Sequence, residues 1–446
     1  MRFLSGGFDL GVFDQSVWQY SQFLYPFNTV KMRMILGDHM TLTLPLLAPL
    51  YWLWNNVTIL LLFQAAWISF SGLAIFKYLQ IRKFTSLQSG ILTLLYLLFY
   101  GIQFAIYFDF HPVIIGVGLL VWIAYFWEAK RWKLFAIFSI LLLLTQENMG
   151  IGLLGLSIIW FFQGRNRKLA LLMGAIGLIS SFAAFQAIRL FNNGALEYTP
   201  VLPQNITGYI TQFFDSSEKR EVWLYSLSWY SFLPLFSPPA MLAVILDLSQ
   251  YFLTGENFSR MWSPFMHHRA ILSVFLLIGT ADVLIFLKSK KLNITYVVII
   301  MLAVSLFLQW NFHFALNKLI KKDFIKTESW MKDNENVLAK VPKGESVATQ
   351  QSLVPHLSHR KEIYLVYPRK RGDLGPDICP KEECWWLYFA GKPKYLVVDA
   401  HDSAWLTMLL VDITEFREAI VAMEKTNTIK KYYQQGDAVI YKILKY

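Results

Sequence analysis

Four short clusters of lysine and arginine cut this chain into apolar stretches close to the length that a helix needs to cross a bilayer. The runs 57–76, 89–108, 169–191, 270–287 and 294–310 approach or reach the roughly 20 residues that span about 30 Å of hydrocarbon. Backbone polar groups in lipid must pair within the segment, so such runs fold as helices. With 55% hydrophobic and 17% aromatic residues, the chain is too apolar for an ordinary soluble domain. The expected fold is an all-α polytopic membrane bundle.

The net charge of +11 would suit nucleic acid in a soluble protein, but its placement argues otherwise. Lys77, Arg82 and Lys83; Lys130, Arg131 and Lys133; Arg165, Arg167 and Lys168; and Lys288, Lys290 and Lys291 all lie between apolar runs. The positive-inside rule makes these four clusters cytoplasmic loops. The intervening turns then face outward, and they carry Asp109, His111, Glu147, His267 and His268. About eight spans are expected, near 57–77, 89–108, 112–128, 134–146, 148–163, 169–191, 268–287 and 293–311. A single helix over 134–163 would be basic at both ends, so a hairpin with Glu147 near its outer tip is preferred. Two shorter apolar stretches, 42–54 and 240–253, read as interfacial or re-entrant helices.

This gives three regions: a first outer loop at 1–56, the bundle at 57–311 with an outer loop at 192–267, and a soluble α/β domain at 312–446, placed outside by the parity of the spans. Within the last, strands are expected at 345–350, 362–367 and 395–399, and a helix at 414–425. Gly436-Asp437 signals a closing hairpin. Cys379 and Cys384 lie in this region, and whether they are bonded does not follow from the sequence. No span precedes residue 38 to carry Asp9, Asp14, Asp38 and His39 outward, so an additional upstream span is expected.

Several groups in the outer loops have chemistry to offer, each with a plainer alternative. Asp9 and Asp14 would be about 140° apart on one helix unless a bend at Gly11 brings them together; Asp9 could instead cap a short helix. Asp38 with His39, and Asp109 with His111, could hold a divalent cation or contact phosphate, although ordinary loop hydrogen bonding uses the same residues. Glu147 at a hairpin tip is costly unless paired, so it serves either a substrate or a structural partner such as Arg33 or Arg269. His267 and His268 could bind phosphate or merely anchor a helix start. Gly150-Ile151-Gly152-Leu153-Leu154-Gly155 matches a dinucleotide pattern only in letters, because no strand precedes it. Its glycines suit close helix packing, and no nucleotide cofactor is expected.

The segments Phe8-Asp9-Leu10-Gly11-Val12-Phe13-Asp14-Gln15, Gly37-Asp38-His39, Ala48-Pro49-Leu50-Tyr51, Asp109-Phe110-His111-Pro112, Gln146-Glu147-Asn148 and Leu353-Val354-Pro355-His356-Leu357, in this order, resemble the bacterial membrane family called domain of unknown function 2079. That family is similar in layout to C-type glycosyltransferases, which use polyprenyl-phosphate sugars. The resemblance implies a sugar transferred from a polyprenyl-phosphate donor to an envelope lipid or glycan, at the outer face of the cytoplasmic membrane. Asp9 would be the base. Asp14, Asp38, His39, Asp109, His111, Glu147, His267 and His268 would bind substrate, phosphate or an ion. Asp38, His39, Asp109 and His111 are the candidate ligands for magnesium or manganese. The expected partners are membrane lipid and the donor, with no nucleic acid. Two rival readings stand beside this one: a lipid or solute transporter, for which Asp247 and Asp282 in apolar surroundings speak, and a non-catalytic assembly protein.

Overall fold

The computed structural model describes residues 3–196, 201–370, 385–401 and 413–446. The chain forms two compact units: residues 1–35, 45–60 and 325–446 make one, and residues 36–44 and 61–324 make the other. Cys379 and Cys384 lie outside the described residues.

The second unit is helical. Among the described residues, four helices are long and apolar enough to cross a membrane: Thr58–Ile81, Arg167–Phe191, His267–Ser289 and Ile294–Asn311. A fifth candidate is the pair Ser86–Leu97 and Tyr100–Phe108, bent by 46° at its break. The expected continuous span at 89–108 is therefore broken, and the side chain that stabilises the break is identifiable. The Gln103 amide donates to the freed Leu98 carbonyl at 2.5 Å, while its oxygen accepts from the Leu316 amide at 3.0 Å. A Cβ on Gly101 would lie 2.6 Å from the Arg269 backbone, so glycine lets the second half of the pair approach the turn before the span at 267–289.

The other expected spans are shorter helices. Pro112–Glu128 has every residue buried, as befits a helix that is apolar all round. Trp132–Leu143 and Met149–Phe162 have 12 and 14 residues, about 18 and 21 Å at 1.5 Å per residue. Neither crosses about 30 Å of hydrocarbon alone, so of the roughly eight spans expected, four or five are long and apolar enough by themselves among the described residues. The hairpin at Glu147 does form. Its second helix packs closely against Arg167–Phe191, because a Cβ on Gly150 would overlap the Gly177 carbonyl oxygen. The stretch at 240–253 is the helix Pro238–Phe252, and it is packed inside this unit: Ala240 meets Gly279, and Ala243 meets Gly155. The span at 267–289 is central, with 78% of its apolar window buried against 22% for Ile294–Asn311.

The basic loops of this unit converge. Arg82 pairs with Asp282 at 2.6 Å and approaches Glu128 at 3.8 Å; Arg165 also pairs with Glu128. Lys288 donates to the Lys83 carbonyl at 2.9 Å. Asp282 is thereby accounted for as the counter-ion of a cationic cluster.

The first unit carries the sheet. The chain order begins with a two-stranded ribbon, β1 (Phe27–Asn28) and β2 (Arg33–Met34), followed by β3 (Val347–Thr349), β4 (Ile363–Leu365), β5 (Tyr367–Lys370), β6 (Trp385–Tyr388), β7 (Tyr395–Asp399), β8 (Ile429–Gln435) and β9 (Ala438–Ile443). Five of these form a mixed sheet in the order β4-β3-β7-β9-β8, and β5 pairs with β6 separately. Strands β3, β4 and β7 are parallel, whereas β7-β9 and β8-β9 are antiparallel. The hairpin at Gly436-Asp437 has Gly436 at φ +57°, the left-handed turn geometry that glycine supplies without steric cost. Helix Ile413–Lys425 buries Phe416, Ala419, Ile420 and Met423 into the core with Leu396, Val398 and Tyr441.

The N-terminal residues belong to this same unit. Thr29 Oγ1 accepts from the Ile363 amide at 2.8 Å and donates to its carbonyl at 2.7 Å, so the exposed edge of β4 is closed by one hydroxyl. Gln15 Nε2 donates to Thr29 Oγ1 at 2.9 Å and lies 3.3 and 3.2 Å from the carbonyls of Arg360 and Lys361.

Candidate functional site

In the helical unit the polar residues of the expected outer turns form a connected cluster. Gln64, buried on the helix Thr58–Ile81, holds the 109–111 turn at two points: its amide donates to the Asp109 carbonyl at 2.8 Å, and its oxygen accepts from the His111 amide at 2.9 Å. Asp109 sits at φ +143°, a region sparsely used by residues with a side chain, and a clamp of this kind is what keeps such a backbone in place. The turn stacks His111 on His267, ring centroids 3.6 Å apart, and His267 meets His268 in a tilted contact at 4.0 Å.

His268 meets Tyr251 at 4.7 Å. The Tyr251 hydroxyl accepts from the Asn148 amide at 3.0 Å, which ties the histidines to the hairpin tip. There Glu147 pairs with His39 Nδ1 at 2.9 Å and accepts from the Met40 amide at 3.1 Å. Its backbone carbonyl takes the Ser181 hydroxyl at 2.7 Å. The partner of Glu147 is therefore a histidine, where the sequence suggested an arginine.

Arg269 is fully buried beneath this cluster. Its guanidinium lies over the Tyr251 ring at 5.1 Å and donates to the carbonyls of Met261 and Ser263. Arg269 Nη1, His267 Nδ1 and His268 Nδ1 are buried without a hydrogen-bond partner among the described residues. Buried polar nitrogens are normally satisfied; Arg269 Nη1 is a donor in any state and each imidazole Nδ1 is a donor in one tautomer, so three unfilled nitrogens on consecutive residues can receive an anionic oxygen. Asp247, one helical turn before Tyr251, is likewise buried with Oδ2 unpartnered.

Asp38 is half-buried. No group of three or more His, Cys, Asp or Glu side chains among the described residues is arranged to hold a metal ion. Sequence reasoning missed Tyr251, Asn148 and the structural hold on Arg269, because they come from the 240–253 stretch and from residues adjacent to those singled out. Asp247 and Tyr251, four apart on a mostly apolar helix, were the available signal.

In the other unit, Asp9 and Asp14 occupy different settings. The Phe8-Asp9-Leu10-Gly11 motif forms a π-helical turn, Gly7–Gly11, leading straight into the helix Val12–Ser21. Gly11 has φ −64° and ψ −38°, so the expected bend there is absent. The glycine is required for another reason: its Cβ would meet Val354 at 2.6 Å. Asp9 is half-buried on this turn.

Asp14 is fully buried and enclosed. Tyr51 donates to Oδ1, Ser358 donates to Oδ2, and His359 Nε2 stands 3.1 Å from Oδ2. Burial first, then the adjacent Asp14 carboxylate, push the Tyr51 hydroxyl far above the usual phenol pKa, so Tyr51 stays a donor. The His359 ring stacks on Trp18 at 6.1 Å and meets Tyr51 edge-on at 5.1 Å. This arrangement can position an imidazole by a buried carboxylate, as in acid–base sites. Neither Ser358 nor His359 stood out in the sequence, since both acquire meaning only from Asp14, more than 340 residues earlier.

Membrane-spanning helices with a polar cluster between them, joined to a small mixed-sheet unit, define a polytopic membrane protein. The model of the family described as predicted membrane protein (DUF2079) matches residues 1–375, and the chain belongs to that family. No curated protein matches the chain.

Proposed function

We propose that this protein is a membrane glycosyltransferase that takes a sugar from a polyprenyl-phosphate donor and passes it to a hydroxyl of an envelope lipid or glycan. The observation that carries this reading is the trio of unpartnered buried nitrogens on His267, His268 and Arg269 beside the Glu147–His39 pair, among apolar helices. A phosphate on an isoprenoid tail suits such a place: its charge is met by imidazole and guanidinium N–H groups, and its tail by lipid-like surroundings. Charge-assisted hydrogen bonds of this type favour the leaving phosphate as negative charge develops on it.

The acceptor hydroxyl must lose a proton as it attacks the anomeric carbon. Asp9 is the candidate base that the family resemblance supplies, and a positioned carboxylate of this kind contributes a rate factor of roughly 10² to 10⁴. No metal-bound step enters this scheme. The cytoplasmic membrane, with the sheet-bearing unit outside, is the location proposed. The gathering of Arg82, Arg165 and Lys288 with the carboxylates that pair Arg82 and Arg165 supports the sidedness through the positive-inside rule.

The test is transfer by the purified protein in nanodiscs, followed as release of polyprenyl phosphate from radiolabelled sugar donors. His268→Asn should raise KM for the donor more than it lowers kcat, because it removes a ground-state phosphate contact. Asp9→Asn should lower kcat by about 10² or more. Absence of donor turnover with mannosyl, glucosyl, arabinosyl and aminoarabinosyl carriers, each with lipid and glycan acceptors, would overturn the reading.

A further inference from the structure

One helical turn in the sheet-bearing unit faces two ways. In Ala48–Leu53, Ala48 and Tyr51 are buried, and Tyr51 reaches Asp14. Pro49, Trp52 and Leu53 point the opposite way and are exposed, Leu53 at 84%. Trp52 is fixed in that position, because its indole nitrogen donates to the Ser21 carbonyl at 2.9 Å.

The neighbouring chain adds to the same exposed face. Helix Val12–Ser21 ends by placing Phe23 at φ +56°, in the left-handed region where a helix stop normally carries glycine. The Phe23 amide donates to the Tyr20 carbonyl at 3.0 Å, and the Leu24 amide to that of Gln19 at 2.9 Å. The phenyl ring is 86% exposed, and its centroid is 6.0 Å from that of Trp52. Tyr25 and Trp54 are exposed as well.

We infer that Phe23, Trp52, Leu53 and Trp54 form a membrane-inserting wedge that seats the sheet-bearing unit on the lipid surface. Two observations select lipid as the occupant. Helix Thr58–Ile81, a candidate span, begins four residues after Trp54, so the patch lies within a few residues of the point where the chain reaches the bilayer. The segments that carry it, 15–30 and 40–76, contain no Asp, Glu, Lys or Arg, so the patch brings no charge of its own that would have to be desolvated on entering the bilayer. Tryptophan and aromatic side chains partition to the headgroup boundary, and the exposed aliphatic Leu53 would reach below it.

The experiment uses the full chain in nanodiscs, with nitroxide labels on Phe23→Cys and on Leu53→Cys in a background carrying Cys379→Ser and Cys384→Ser. Lys430→Cys, on an exposed position of β8, is the aqueous control. The labels at 23 and 53 should be several-fold more accessible to oxygen than to a water-soluble nickel complex, relative to position 430. Should the cysteine-free background fail to fold, the parent chain and Trp52→Phe are compared in brominated lipid, where the Trp52 contribution to fluorescence should be lost. Labels at 23 and 53 that meet nickel as freely as 430, or that are shielded from both reagents as in a protein–protein contact, would overturn the inference; so would a Trp52 contribution untouched by bromine.

Discussion

The pairing of Glu147 with His39 can be measured directly. Glu147→Gln keeps the length of the side chain and an oxygen that still accepts from the Met40 amide, now 3.1 Å from Oε2, and it deletes the charge opposite His39. A hydrogen bond involving a charged group contributes about 1.5–3 kcal/mol. His39 and Glu147 retain 26% and 10% of their side-chain exposure, so solvent screening puts the loss near the lower end, about 1.5 kcal/mol. Glu147→Ala also strands the half-buried Met40 amide, and should cost about 3 kcal/mol.

Denaturant titration of the purified protein in mixed micelles, read by circular dichroism, gives both values. A cycle with His39→Asn isolates the pair, for which a coupling of about 1 kcal/mol is expected. A coupling below about 0.3 kcal/mol, the level at which distant sites appear additive, would refute the Glu147–His39 contact as the device that fixes the hairpin tip.

Three further outcomes follow from individual contacts. Tyr51→Phe leaves Asp14 Oδ1 without its donor and should destabilise the sheet-bearing unit by about 1.5–3 kcal/mol; a change under about 0.5 kcal/mol in its unfolding transition would contradict the enclosure of Asp14. Gly150→Ala must push the helices Met149–Phe162 and Arg167–Phe191 apart, at about 1–3 kcal/mol, while Gly90→Ala, with nothing within 4 Å of the added methyl, should be neutral or gain up to about 1 kcal/mol. Equal effects in a thermal-shift assay would argue against the close helix contact. Burial holds His356 at a pKa of about 3 against about 6.5 unfolded, so the unfolded chain takes up its proton first on acidification. Stability from this site is complete above pH 6.5 and falls by up to about 1.4 kcal/mol per unit as pH drops toward 3, and His356→Phe should flatten the acid limb of a melting-temperature profile.

What was legible in the sequence is what one-dimensional patterning encodes. Hydrophobic run length with flanking charge located the apolar helices, β-branched and aromatic content with a Gly-Asp turn located β3, β4, β7, β8 and β9, and helical periodicity located Ile413–Lys425, because each of these is dictated by neighbours a few residues away. The membrane family was legible through the Phe-Asp-Leu-Gly, Asp-Phe-His-Pro and Gln-Glu-Asn segments. Run length could not say that 112–128 would be wholly buried or that 89–108 would break at Leu98, since the break is stabilised by Gln103 reaching Leu98 and Leu316. The sequence separated residues 1–56 from residues 312–446; the tertiary structure joins them, through Thr29 on the edge of β4 and Asp14 against Ser358 and His359. Such contacts depend on side chains hundreds of residues apart meeting in space, and no local propensity records them. The same holds for the histidine stack: the sequence placed His111, His267 and His268 on one side, and only packing around Gln64 and Tyr251 decided that their rings would touch.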